Sequence, residues 1–135
     1  TFKYPGVPNL TLNPIYEEPF FIGGIEIIPI LVKHLTLPIL GFRIHELVYI
    51  TDASFISEKE KRKLQGLKIL IINALRLKEH YSHFNLAQAL ELIAELNPQE
   101  AYLTHISHEM GTHEDISAQL PANVHLGYDG LKLEW

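Results

Sequence analysis

The order of elements predicts an α+β fold, a sheet covered by helices on one face. The first half of the chain reads as short strands rich in Ile, Val and Phe, the second half alternates strand and helix signals, and nearly half of the 135 residues are hydrophobic. A chain of that size and hydrophobicity buries one core, so residues 1–135 are expected to form a single domain.

Residues 1–19 carry Pro5, Gly6, Pro8, Pro14 and Pro19 with little periodicity, and are expected to be loop or a weak edge strand. Residues 20–32 read as two strands around a Gly23-Gly24 turn. Two short strands follow at 40–44 and 47–51, with His45-Glu46 between them. Ser57 starts a helix: it is a good N-cap, and Glu60 stands three residues on at capping-box spacing. Gly66 ends that helix and residues 67–72 are a buried strand. The clearest helix is 85–96, with Leu86, Leu90, Ile93 and Leu96 on one face and Asn97-Pro98 as its stop. Residues 101–104 form another strand, and Thr112 or His113 opens a short helix toward Leu120 that Pro121 breaks. The tail reads as a hairpin, 124–128 and 131–134 around Asp129-Gly130, the favoured pair for a tight turn.

Composition excludes several classes of function. A net charge of −5 argues against a nucleic-acid surface. The basic run Lys59, Lys61, Arg62 and Lys63 is interleaved with Glu58 and Glu60, and reads as a solvated helix face. The longest apolar stretch, 20–32, is interrupted by Gly23, Gly24, Glu26 and Pro29 and is too short to span a bilayer. No cysteine is present, which rules out disulfides and thiolate zinc sites within these residues. No signal peptide opens the sequence, and the expected location is cytoplasmic. Eight histidines in so short a chain are the compositional oddity.

Three of those histidines and one aspartate stand at or near apolar strands. His34 follows IEIIPILVK, Asp52 follows LVYIT, His105 follows AYLT, and His83 lies in the loop between the last two. Strand ends fix ligand geometry well, so this placement suits a metal site. Asp52 is the strongest single candidate, because burial after a hydrophobic strand costs an unpaired carboxylate several kcal/mol. It either ligates a cation or caps a turn or helix. His34 taken alone reads as a core or loop histidine, and the His105-x-x-His108 pair is weak by itself. His108 and His113, five apart, would sit about 140° from one another on a helix. The zincin helix motif, the Gly-x-Ser-x-Gly elbow and the Gly-rich phosphate loop are all absent. Glu17-Glu18 and Glu114-Asp115 point apart and read as surface, while His45, His113 and His125 receive no role.

Together these residues resemble the metallo-β-lactamase superfamily, and within it the cyclic phosphodiesterase branch that opens a phosphoribosyl cyclic phosphate. The segments that carry the likeness are Val32-Lys33-His34, Leu40-Gly41-Phe42-Arg43, Tyr49-Ile50-Thr51-Asp52, His83-Phe84-Asn85-Leu86, Leu103-Thr104-His105-Ile106-Ser107-His108 and Tyr128-Asp129-Gly130. The most specific is the Leu-Thr-His-Ile-Ser-His string with a histidine twenty-two residues before its first His. The resemblance implies a C-terminal half of a four-layer αββα sandwich. It also implies two divalent metal ions, Zn or Mn, with His34 on one, His105 on the other and Asp52 bridging them. His83 would contact the substrate phosphate as a catalytic histidine, and His108 would ligate an additional structural Zn. The family's His-x-His-x-Asp-His motif and N-terminal cysteines do not occur here. They would lie upstream of Thr1, so the chain is expected to be part of a longer metallo-hydrolase and inactive or impaired alone. The expected substrate is a small phosphodiester, with no nucleic acid or membrane partner and with a homodimer or larger oligomer. Two other readings are a ribonuclease Z-like RNA-processing nuclease and a non-catalytic half-domain that binds a partner or dimerises.

Overall fold

The computed structural model describes residues 10–135, so the expectation for residues 1–9 lies outside the described part, and residues 10–19 contain no helix or strand. Eight strands form one mixed sheet in the order β1-β2-β3-β4-β6-β7-β8, with β5 pairing off the path onto β2. The strands are β1 (Phe20–Ile22), β2 (Ile25–His34), β3 (Leu37–Ile44), β4 (Leu47–Ile50), β5 (Phe55–Ile56), β6 (Ile69–Asn73), β7 (Glu100–Thr104) and β8 (Val124–Leu126). The helices are α1 (Glu58–Lys61), α2 (Leu86–Leu96) and α3 (His113–Ser117), with 3₁₀ turns at Arg62–Leu64 and His108–Met110. No helix among the described residues is long and apolar enough to cross a membrane.

Strands β1 to β4 form a meander. Gly23 and Gly24 both adopt positive φ (+55° and +84°), as a tight two-residue turn requires, and Ile22 pairs with Ile25 across it. His45, at φ +52°, makes the expected turn between β3 and β4. β2 and β3 are antiparallel, as are β3 and β4, whereas β4, β6, β7 and β8 are mutually parallel. β2, β4, β6 and β7 therefore run in one direction and finish at one edge of the sheet.

Alternation along the strands sends Val48, Ile50, Leu70, Ile72, Ala101 and Leu103 to one side, where they are buried together with Ala89, Leu92, Ile93 and Leu96 of α2. Asn85 caps α2 through a full capping box with Gln88, and Asn97 closes it in the left-handed conformation. Ser57 caps α1 as expected, accepting from the Glu60 N–H. The Glu60 side chain does not complete a capping box, however. It is buried, accepts from Leu31 N at 2.9 Å and pairs with Lys63 at 2.8 Å, tying α1 to β2. The basic run is accordingly not wholly solvated, since Lys61 also pairs with Glu58 and Glu95.

The expected C-terminal hairpin does not form. β8 joins β7 in parallel, Gly127 N extends the ladder to Leu103 O at 2.8 Å, and residues 127–135 contain no strand. A buried parallel partner satisfies the β8 backbone and covers Val124 and Leu126, which a two-stranded hairpin at the surface does not. The Asp129-Gly130 turn forms, but the chain after it carries Leu131 and Leu133 along a groove lined by Ile71 and Tyr102.

Candidate metal centre

The site lies at the edge where the like-directed strands end. Asp52 stands two residues past β4, and His105 directly follows β7. Both take the left-handed conformation, φ +59° and +55°, sparsely populated for residues other than glycine and common where the surroundings hold a functional group in place.

Main-chain and buried amide bonds supply that hold. Asn73, the last residue of β6 and fully buried, clamps Ala53 on both sides: its Oδ1 accepts from Ala53 N at 2.8 Å and its Nδ2 donates to Ala53 O at 2.9 Å. Ala53 O also accepts from Phe84 N at 2.8 Å, which fastens the His83 loop beside Asp52. Ser54 bonds Lys33 O through both its N–H and its hydroxyl, and its Oγ accepts from Leu35 N. His34 is thereby flanked by residues tied to the Asp52 segment. Beyond β7, Ala74 N donates to Thr104 O and Ser107 N to Leu75 O, setting the position of His105.

Asp52, His83 and His105 each offer a ligand atom, and these atoms lie within 4.8 Å of one another. His105 Nε2 is 2.9 Å and His83 Nε2 3.4 Å from Asp52 Oδ1. Although Oδ1 is buried and His105 is near, no contact to it has hydrogen-bond geometry. Short distance without bonding geometry is what lone pairs directed at a common point produce. The His83 and His105 rings stack, centroids 4.9 Å apart, and the His34 ring meets His83 edge-on at 4.7 Å. Burial holds the His83 imidazole below its ordinary pKa, the charges of His105 and His34 push the same way, and Asp52 opposes them. Imidazole nitrogens around a carboxylate with an orphaned oxygen fit a divalent cation.

Four of the five residues singled out in the sequence thus meet at one edge: His34, Asp52, His83 and His105. His108 does not join them. It opens the 3₁₀ turn after β7, is exposed, and belongs to no cluster of three metal-type side chains among the described residues. Sequence reasoning missed Asn73 and Ser82, and reads His80, like His83, as a loop histidine that either reaches a substrate or faces solvent. A buried Asn at a strand end has no distinctive spacing, whereas His80, Ser82 and His83 within four residues were at least visible as a polar cluster.

A mixed sheet with helices on one face and His and Asp at its strand ends defines an α+β chain of the metallo-β-lactamase type. Over residues 2–106 the sequence matches the beta-lactamase superfamily domain, and the chain belongs to that family. It is similar to a solved diphosphatase of the PhnP family, with 38% identity and a TM-score of 0.87 over 90% of this chain and 47% of the other. The metallo-beta-lactamase fold protein YhfI from Bacillus subtilis shares the fold at 19% identity, with a TM-score of 0.71 over 90% of this chain and 54% of that one. An octanoyltransferase from Porphyromonas gingivalis (strain ATCC BAA-308 / W83) is 37% identical over 131 residues, 96% of this chain and 27% of that protein. The chain therefore spans about a quarter of the curated relative and about half of the solved ones.

Proposed function

We propose that the protein carrying this chain is a metal-dependent hydrolase of a small cyclic phosphodiester rather than of a polymer, acting through two divalent cations, Zn or Mn. The observation that carries this reading is the buried, unbonded Asp52 Oδ1 facing His83 and His105 at the strand ends. The 38% identity to a solved diphosphatase supports phosphorus chemistry, and the family supports hydrolysis.

Asp52, His34 and His105 would hold the two ions, and His108 would hold a separate structural Zn. Bound divalent cations act as Lewis acids and bring the pKa of a water ligand from above 15 to about 7. Asp52 contributes the fixed negative charge that retains the cations, and the left-handed backbone clamped by Asn73 aims it. His83, the less exposed of the two histidines beside Asp52, would donate a hydrogen bond to the phosphate or a proton to the leaving oxygen. The octanoyltransferase name belongs to a protein of which this chain matches about a quarter.

The test is Asp52→Ala in the full-length protein, with metal content and hydrolysis of bis(p-nitrophenyl) phosphate as readouts. The expected outcome is loss of bound metal and a fall in turnover of at least about 10²-fold. A variant that keeps its metal and most of its rate overturns the proposal. Running a tRNA precursor in parallel separates a small-diester enzyme from an RNA-processing nuclease, which the net charge of −5 disfavours.

A further inference from the structure

The loop between β6 and α2 is closed at its neck by two backbone bonds, Leu75 N to Phe84 O and Leu86 N to Arg76 O, each 2.9 Å. Arg76 braces it further. Its guanidinium donates to Glu79 O at 3.0 Å and pairs with Glu109, in the turn that follows β7, at 2.5 Å. A loop tied at its neck and along its length holds its side chains in place. On this one stands a row of rings that leads outward from the candidate metal centre. His83 stacks on His105, the His80 ring lies 5.1 Å from that of His83, and Tyr81 stacks on His80 with centroids 4.5 Å apart and planes 25° from parallel. Tyr81, the outermost of the four, is 75% exposed. We propose that Tyr81 is a specificity-determining residue whose open ring face stacks on an aromatic ring carried by the phosphate ester, a nucleobase above all. This rests on the phosphodiesterase reading of the site given above and narrows its substrate to esters that bear such a ring.

The stack on His80 carries the assignment. It covers one face of the Tyr81 ring, so the exposure of Tyr81 belongs to the other face and the edge, and the platform takes a single ring. Closing that face against a flat ligand removes apolar surface from water on both partners and adds the attraction of offset rings. Two ring contacts separate Tyr81 from His83, so its centroid is no farther from the His83 ring than those two distances combined. The ring and the phosphate of one nucleotide-sized ester can therefore occupy both places. Because the loop is already tied down, stacking on it requires little ordering of the protein. Every nucleobase has a π-face, so a bare aromatic platform separates esters with a ring from esters without one and discriminates little among rings.

The first experiment is NMR of the full-length protein with ring-labelled tyrosine, titrated with adenosine 5′-monophosphate and, separately, with ribose 5-phosphate. The Tyr81 signal is the one missing from both Tyr81→Leu and Tyr81→Phe. It is expected to move upfield with adenosine 5′-monophosphate and to stay in place with ribose 5-phosphate. The second experiment compares kcat/KM for adenosine 2′,3′-cyclic phosphate with that for glycerol 1,2-cyclic phosphate, which has the same reacting ring and no base. Tyr81→Leu is expected to lower the preference for the adenosine ester about 5- to 100-fold, the range that base stacking supplies, chiefly through KM. Tyr81→Phe, which keeps the ring, is expected to retain the parent preference. A Tyr81 signal that ignores adenosine 5′-monophosphate, or that moves equally with ribose 5-phosphate, overturns the proposal, as does an unchanged preference in Tyr81→Leu. Failure of the hydrolase reading shows up separately, as turnover of neither ester by the parent, and the titration then decides the stacking alone because it needs no turnover.

Discussion

At the scale of single residues, the site is a set of side chains aimed by bonds to their neighbours. Asp52 holds an uncommon backbone conformation because Asn73 and Phe84 grip the next residue, and the orphaned carboxylate oxygen follows from that grip. The pH dependence of the metal-free protein follows from His83. Its folded pKa lies below the ordinary imidazole value of 6.5, chiefly through burial. The unfolded chain therefore takes up the proton first, and the contribution of His83 is present above about pH 6.5 and lost as pH falls from there toward the folded value. Urea midpoints of the metal-free protein are expected to drop below pH 6.5, with a shallower drop in His83→Gln. An equal drop in the variant assigns that limb to other groups. His34, Asp52 and His105 were legible in the sequence as candidates because each stands just past an apolar run, whereas His83 lies in a polar loop and was singled out through the resemblance. Asn73 was not, since its importance lies in two bonds to a residue twenty positions away.

At the scale of elements, periodicity and punctuation located most of the sheet and the main helix, and the misses share a cause. β5 is two residues long, too short for any alternation to register, and exists because β2 offers it an edge. The tail hairpin had a sound local signal, but β7 supplied a buried parallel partner that local sequence does not reveal. The β3–β4 pair shows the opposite case, where a single residue type is required by its partner strand. A Cβ on Gly41 would come within 2.6 Å of Ile50 Cγ1 and 3.0 Å of Tyr49 O. Ile50 is fully buried and lies two residues before Asp52, so it cannot yield without moving the site. Gly41→Ala is expected to cost about 1–3 kcal/mol of stability, the usual range for overpacking a core. Because the displaced strand leads into Asp52, metal affinity should fall with it. Chemical denaturation and metal titration of the same variant check both halves, and a fully stable variant with weakened metal binding would show that the strand moves without strain.

At the scale of the whole molecule, the sheet has one face packed on α2 and one that is partly open among the described residues. The register lines up Phe42, Tyr49, Ile71 and Tyr102 on four adjacent strands, on the side away from α2. Tyr49 is 44% exposed, and Phe42, Ile71 and Tyr102 are half-buried. A sheet meant to face water on one side alternates apolar with polar residues, and this row instead places aromatic and branched side chains there. Sheets with two apolar faces are covered on both, in sandwiches by a second sheet about 10 Å away. The chain spans about half the length of the solved relatives, which is the proportion a half-sandwich would have. Sequence patterning alone anticipated the sheet but not which of its faces stays open, because that depends on how eight strands line up. An apolar face of this kind drives association when nothing covers it. The 135-residue chain by itself is expected to run as a dimer or larger species in light scattering. Tyr49→Lys combined with Tyr102→Lys should shift it toward monomer, since two charges at the middle of the row oppose any apolar partner. A monomeric parent chain would mean that the tail carrying Leu131 and Leu133 already covers enough of the face to keep it in water.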